Sequence, residues 1–162
     1  MHKVIQAVIR NTSSERVFVE NILRKIKEFN ERDRATCLSV FDEIVNKNNE
    51  YEGFSIYFEN KMTGFIFFTQ NSLGLNVFEL LWIVVDPDYQ GLGFGDLLMN
   101  KFLEEVKKRN ARLVVLHTSE HYLKAKSLYK KYGFNCEGII KDFYSPGDSK
   151  EIWVFKIIIN NF

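Results

Sequence analysis

The sequence has little of what marks several protein classes. Its two cysteines, Cys37 and Cys136, stand far apart and lack metal-ligand spacing. That excludes a disulfide framework and fits core thiols kept in a reducing cytosol. The three histidines, His2, His117 and His121, form no metal pattern either, so no metal is expected. Charge of one sign is also lacking. Twenty-two Lys and Arg stand against 21 Asp and Glu, for a net +1, so nothing points to a nucleic-acid partner. No apolar run reaches bilayer-spanning length and no signal peptide opens the chain. The expectation is a cytoplasmic protein with no membrane partner.

The residues that are present fit one compact domain over residues 1–162. Hydrophobic residues make up 46% and aromatics 15%, too many for a disordered chain. No linker, repeat or low-complexity tract interrupts it. Val4 to Ile9 reads as a strand, and Thr12-Ser13-Ser14-Glu15 has capping-box spacing. A helix should come next, with Phe18, Ile22, Leu23 and Ile26 on one face. Asn30 to Asp33 breaks it, and a second helix carries Cys37, Leu38, Phe41, Ile44 and Val45. Phe54–Phe58 and Gly64–Thr69 form a hairpin turning near Glu59-Asn60-Lys61. Leu75–Val85 is a long strand after a turn at Gly74. A helix then runs to Arg109. Leu113–His117, almost continuously apolar, reads as a central parallel strand. Tyr122–Tyr132 is helical and ends at Gly133. Gly138–Phe143 and Glu151–Ile159 close an α/β fold of order β-α-α-β-β-β-α-β-α-β-β.

The most telling stretch runs from Val85-Asp86-Pro87 through Gln90-Gly91-Leu92-Gly93-Phe94-Gly95 into Asp96-Leu97-Leu98. It reads as strand, glycine-rich turn, helix N-terminus. Such a terminus carries the positive end of the helix dipole and binds phosphate, while glycine lets a ligand approach the backbone. A P-loop would place Lys and Ser/Thr after its last glycine, but Asp96 and Leu97 stand there. A dinucleotide fingerprint would space its last glycines by three, whereas Gly93 and Gly95 differ by two. The remaining alternatives are a different phosphate ligand, or a connection that binds nothing.

The pattern Gln-x-x-Gly-x-Gly at Gln90–Gly95 resembles the acetyl-CoA pyrophosphate loop of the GNAT N-acetyltransferases. Ala125-Lys126-Ser127-Leu128-Tyr129-Lys130-Lys131-Tyr132-Gly133-Phe134 resembles that family's second signature, Ala-x-x-Leu-Tyr-x-x-x-Gly-Phe, at the expected distance. Asp142 to Asp148 is similar to the loop between the last two strands in a prokaryotic subset. The resemblance spans roughly residues 50 to 160. It implies the strand and helix order given above, acetyl-CoA as cofactor, and an amine acceptor. One departure stands out: many members carry Asn seven residues before the Leu-Tyr tyrosine, and this chain has Tyr122 there.

Acetyl transfer to an amine needs a neutral nucleophile, donors for an oxyanion, and a proton for the departing thiolate. Glu79 lies in an otherwise apolar strand, where a charge is costly unless solvated or paired. Six residues before Val85, it matches a general-base glutamate of some members. Otherwise it faces solvent or balances a cation. Tyr129 is the matching acid, since a phenol holds its proton at neutral pH; otherwise it packs on the face shared by Tyr122, Ala125 and Tyr132. The resemblance places the pantetheine arm along Ile83, Val84 and Val85, with backbone oxyanion donors near Val84 and Val85. Pyrophosphate contacts fall to Gln90, Gly91, Leu92, Gly93, Phe94 and Gly95. Tyr122 borders the cofactor. Lys124, Lys126, Lys130 and Lys131 are candidates for the 3′-phosphate, or a solvated helix face.

For the acceptor, the resemblance points to the turn Phe29–Asp33 and the loop Phe143–Asp148. Phe29, Asp33, Phe143 and Tyr144 are the binding candidates, with Glu31, Asp142 and Asp148 beside them. Acidic and aromatic groups suit a cationic amine, and they equally suit an ordinary polar loop. The expected reaction is direct acetyl transfer from acetyl-CoA to a primary amine of a small molecule, peptide or protein. The resemblance leaves room for a homodimer. The rival is a non-catalytic acyl-CoA-binding or regulatory module on the same fold.

Overall fold

The computed structural model describes residues 13–47 and 50–158. The expected strand Val4–Ile9, the Thr12 end of the expected capping box, and Ile159 lie outside them. Within them run α1 (Ser13–Lys25), α2 (Glu31–Val45), β1 (Tyr51–Phe58), β2 (Lys61–Gln70), β3 (Val77–Val85), α3 (Phe94–Lys108), β4 (Leu113–Ser119), α4 (Leu123–Lys131), β5 (Asn135–Ser145) and β6 (Asp148–Lys156). From the first helix onward this is the expected order. The six strands hydrogen-bond in the order β1-β2-β3-β4-β6-β5. The sheet is mixed, because β3 and β4 run parallel while β1–β2, β4–β6 and β5–β6 are antiparallel. The contacts gather into two compact units. One holds the chain up to Thr69 with Trp82–Glu104; the other holds Gln70–Leu81 and Glu105 onward.

In the first unit, β2 is buried from Met62 to Phe68, the pattern of a strand covered on both faces. Phe67 meets Phe41 of α2 at 6.1 Å between ring centroids, and Phe68 meets Phe102 of α3 at 5.0 Å. The hairpin turns on Glu59 and Asn60, both at positive φ (49° and 63°), as a tight two-residue turn requires. Asn30 caps α2 in a reciprocal pair with Asp33. Phe18, expected to face inward, is 45% exposed, while Val19 is fully buried. The inward stripe is Val19, Ile22, Leu23 and Ile26, the i, i+3, i+4, i+7 set, and Phe18 lies one step off it.

In the second unit, β3 starts two residues later than expected. Asn76 takes a left-handed conformation (φ 52°) and Leu75 is 77% exposed. Asn71 accepts the N–H groups of Leu73 and Gly74 and so builds the turn before β3. Tyr129 and Phe134 pack together at 5.9 Å, and Tyr129 also meets Trp153 of β6 at 6.3 Å. Cys37 is buried as expected, but Cys136 is exposed, because it lies on β5, the last strand of the sheet. The expected loop from Phe143 to Asp148 is also different. Phe143, Tyr144 and Ser145 belong to β5, and the turn is Pro146-Gly147. Between the pairs Ile140↔Lys150 and Ser145↔Asp148, β5 has Lys141 to Tyr144 where β6 has only Ser149. The surplus forms a bulge.

Candidate active site

The glycine turn belongs to the first unit. β3 ends at Val85, and Asp86, 1% exposed, anchors the entry to the turn. Its N–H donates to Thr63 O at 2.8 Å, and its carboxylate accepts the Asp88 N–H at 3.0 Å. Lys25, the last residue of α1, donates to both Asp86 oxygens (3.0 and 2.9 Å) and to Asp88 (2.6 Å). Asp88 and Asp86 raise the Lys25 ammonium above the usual range in return. After a short 3-10 turn over Pro87–Tyr89, the Gln90 side chain donates to Val85 O at 3.2 Å. It thus ties the turn back to the strand that feeds it.

Gly91 and Gly93 both lie at positive φ (77° and 86°), which only glycine adopts without strain. Leu97 N–H bonds to Gly93 O at 3.1 Å. The chain therefore passes from the left-handed glycine straight into the first turn of α3. At the strand end, a Cβ on Gly64 would sit 2.6 Å from Val84 O. Val84 C=O thus faces β2, and the trans peptide turns the Val85 N–H the opposite way. Ile83 and Val85 are half-buried and Val84 is buried.

Glu79 belongs to the second unit, on β3 opposite Val115 of β4. His117 lies two residues beyond Val115 and so projects on the same face. Its Nδ1 lies 3.4 Å from Glu79 Oε1, with the side chains 33% and 25% exposed. The His117 hydrogen bond lowers the Glu79 carboxyl below its ordinary range, with Lys150 and Asn71 adding to that and partial burial opposing it. Glu79 thus has an imidazole beside it and is not left to solvent alone. Lys150 pairs across β6 with Ser119, two residues from His117, so it shares that face. Its ammonium lies 4.3 Å from the Phe143 ring centre.

Tyr129 sits on α4, buried, and burial pushes its hydroxyl well above the usual phenol range. It packs on Trp153, which pairs with Leu116 of β4. Glu79 pairs with Val115, the next residue. Neighbours in a strand face opposite sides, so Glu79 and Tyr129 address opposite faces of the sheet. Tyr122 is the N-cap residue of α4, and Lys124 is exposed. Lys126 is committed elsewhere. It donates to Glu120 O and to buried Glu151, which also accepts from Trp153 Nε1. Lys130 lies 5.9 Å from the Trp153 ring centre.

The acceptor candidates fall in different units. In the first unit, Phe29 meets Trp82 edge-on at 5.5 Å, and the Asp33 carboxylate serves the α2 cap. In the second, Phe143 and Tyr144 form an edge-to-face pair at 5.1 Å, 51% and 43% exposed. Glu120, His121 and Asp148 come together as well, their ligand-capable atoms within 4.8 Å of one another. Each already has a partner: Ser149 N–H, Gly147 O and the Ser119 hydroxyl respectively.

Sequence reading missed His117, Lys150 and Lys25. His117 could have been suspected from its parity with Val115 in a short apolar strand. Lys25 and Lys150 gave no local signal.

A mixed sheet with a strand that enters a glycine turn at a helix N-terminus is a fold that can offer backbone donors to a phosphorylated ligand. The family model described as Acetyltransferase (GNAT) family matches residues 16–134. A curated relative, the [ribosomal protein bS18]-alanine N-acetyltransferase of Escherichia coli strain K12, is 30% identical over 106 residues, 65% of this chain and 70% of its own length. The crystal structure of the ribosomal-protein-S18-alanine N-acetyltransferase from Escherichia coli superposes with a TM-score of 0.75 at 22% identity, covering 98% of this chain and 97% of that one. An aminoglycoside 6′-N-acetyltransferase complexed with coenzyme A superposes at 0.78 and 18% identity, covering 98% and 99%. The chain therefore belongs to the GNAT acetyltransferase family and is an acetyl-CoA-dependent N-acetyltransferase. None of these findings supports a non-catalytic module. No helix among the described residues is long and apolar enough to cross a membrane.

Proposed function

We propose that the protein transfers the acetyl group directly from acetyl-CoA to a primary amine, with residues 1–162 acting as one catalytic domain. The observation that carries this reading is the paired carboxylate Glu79 on the open face of β3, with buried Tyr129 addressing the other face. A base for the amine and a donor for the thiolate then need not compete for one space. The left-handed glycines Gly91 and Gly93 leave main chain uncovered before α3, which fits a pyrophosphate. Backbone amides of Gln90, Gly91, Leu92, Gly93, Phe94 and Gly95 hold it, and Ile83, Val84 and Val85 run along the pantetheine. The Val85 N–H, turned away from β2, is the oxyanion donor. Tyr122 takes the usual asparagine's place beside the cofactor, and exposed Lys124 is the best placed lysine for the 3′-phosphate. Glu79 is the carboxylate that promotes loss of the amine proton, and Tyr129 donates to the leaving sulfur.

The acceptor is a small-molecule amine or a peptide amine. The 30% identical relative acts on the alanine of a ribosomal protein, which favours a peptide α-amine. An α-amine, with a pKa near 8, is also far easier to neutralise than a lysine side chain near 10.4. Phe29, Asp33, Phe143 and Tyr144 remain the candidates that touch it. We place the reaction in the cytoplasm, without a nucleic-acid or membrane partner, and with a homodimer as the oligomer to test.

The test is thiol release from acetyl-CoA across a panel of free peptides with different first residues, ε-amines, polyamines and amino sugars. Turnover with peptides beginning in small residues supports the reading. Turnover restricted to amino sugars would move the acceptor to small molecules. No thiol release with any amine would overturn it.

A further inference from the structure

Glu79 alone is poorly matched to its task. Its carboxyl is held below its ordinary range, and the proton to be taken sits on an amine whose pKa is near 8 or higher. A base works best when its pKa lies near the operating pH. The imidazole beside it belongs to the one side-chain class that ordinarily titrates near neutrality.

Resting on the acetyltransferase reading above, we propose that Glu79 and His117 work as a pair, in which His117 Nε2 takes the amine proton and Glu79 is the positioning residue that holds Nδ1–H. Three observations carry this. Nδ1, not Nε2, is the ring nitrogen 3.4 Å from the carboxylate. A carboxylate on Nδ1 fixes the tautomer and leaves the Nε2 lone pair outward. His117 is also exposed, so an acceptor can reach that nitrogen. The groups that act on Glu79 within its unit are His117 from β4, Lys150 from β6 and neutral Asn71 from the turn before β3.

In the step proposed, an ammonium N–H bond breaks and its proton bonds to Nε2, leaving the electron pair on the amine nitrogen. That nitrogen attacks the acetyl carbonyl carbon. The C–N bond forms, the C–S bond breaks, and its electrons leave on sulfur, which gains a proton as the nitrogen loses its second. His117 returns its proton to solvent between turnovers, so each turnover releases one proton.

The experiment joins two readouts on the intact protein. Nuclear magnetic resonance of ring-labelled histidine follows His117 against pH in wild type and in Glu79→Gln. Thiol release gives kcat/KM against pH for wild type, His117→Gln and Glu79→Gln. The proposal expects the His117 midpoint to fall in Glu79→Gln, since the imidazolium loses its carboxylate. It also expects His117→Gln to lose about 10²-fold or more in kcat/KM at neutral pH, narrowing as the pH rises and free amine accumulates. Glu79→Gln should lose less than His117→Gln, because the imidazole remains. An unmoved midpoint, or a His117→Gln profile that superposes on wild type, would overturn the pairing while leaving the enzyme reading standing. No thiol release by wild type would overturn both.

Discussion

Lys25 Nζ lies 2.9 Å from Asp86 Oδ2 and 2.6 Å from Asp88 Oδ2, so the last residue of α1 is bonded to the two acids that precede the glycine turn. The two bonds differ in weight. The Asp86 side chain is 2% exposed and Asp88 65%. Removing a partner from a buried carboxylate leaves an uncompensated charge, whereas an exposed ion pair counts for little. Lys25→Ala should therefore destabilise the protein by about 1–3 kcal/mol, toward the lower end because Lys25 is itself partly exposed. Acetyl-CoA binding should weaken with it, since Asp86 shapes the entry to the turn. Asp88→Asn should leave both nearly unchanged. Thermal melts and calorimetric titration check this, and equal effects from the two variants would refute it.

The cofactor itself should stabilise the fold. At about 100 times its dissociation constant, acetyl-CoA adds roughly 2.7 kcal/mol, which for a chain of this size moves the melting point by about 5–11 °C. Gly93 has φ 86°, so Gly93→Val introduces backbone strain as well as a side chain in the phosphate's approach. Strain lowers the melting point with and without ligand alike. Lost binding removes the difference between the two. The expected result is a lower melting point in the absence of ligand and no shift on adding acetyl-CoA. A retained shift would place the pyrophosphate elsewhere.

Gly64 controls the end of β3. Its absent Cβ would stand 2.6 Å from Val84 O and 3.3 Å from side-chain atoms of Ile56 and Leu98. Gly64→Ala must push β2 and β3 apart, at a cost of about 1–3 kcal/mol. The Val84 carbonyl and Val85 N–H belong to one rigid peptide plane, so the proposed oxyanion donor moves too. Turnover should fall more than acetyl-CoA affinity. A variant with a normal melting point and normal kcat would show that the strand has room to spare and that the Val85 N–H is not critical.

Features carried by contiguous residues were legible in the sequence. The glycine turn and the Leu-Tyr segment depend on neighbours within one or two turns of chain, and each sits where the pattern put it. Features made by strand register were not. Glu79 and His117 are 38 positions apart, and they meet only because β3 and β4 pair Glu79 with Val115. A one-residue slip would send His117 to the opposite face. Lys25 and Asp86 are 61 positions apart and have no pattern between them. The exposed aromatics Phe143 and Tyr144 read as loop because their strand alternation is broken by the bulge from Lys141 to Tyr144. The start of β3 was misplaced because a left-handed Asn76 is invisible to a hydrophobicity pattern.

Tyr129 offers the sharpest test of chemistry against packing. The residue is buried against Phe134 and Trp153, and burial raises its hydroxyl above the ordinary phenol value near 10. The sign matters. A raised value keeps the proton on oxygen throughout the working range, so the rate should show no downward limb from Tyr129 up to about pH 10. Thiols ordinarily titrate near 8.5, so complete proton transfer from such a phenol to a thiolate is uphill. In the proposed role Tyr129 is first a hydrogen-bond donor to the charge developing on sulfur, an interaction present mainly in the transition state. Tyr129→Phe removes that donor and keeps the ring. Turnover should drop by roughly 10²-fold, in kcat more than in KM, with acetyl-CoA protection against heat retained. The loss should be smaller for a thioester whose leaving thiol is more acidic, because that thiolate needs the donor less. Tyr132→Phe, at the C-cap of the same helix, should be nearly silent. If the two variants behave alike, or if the loss is the same for every leaving group, Tyr129 is a packing residue.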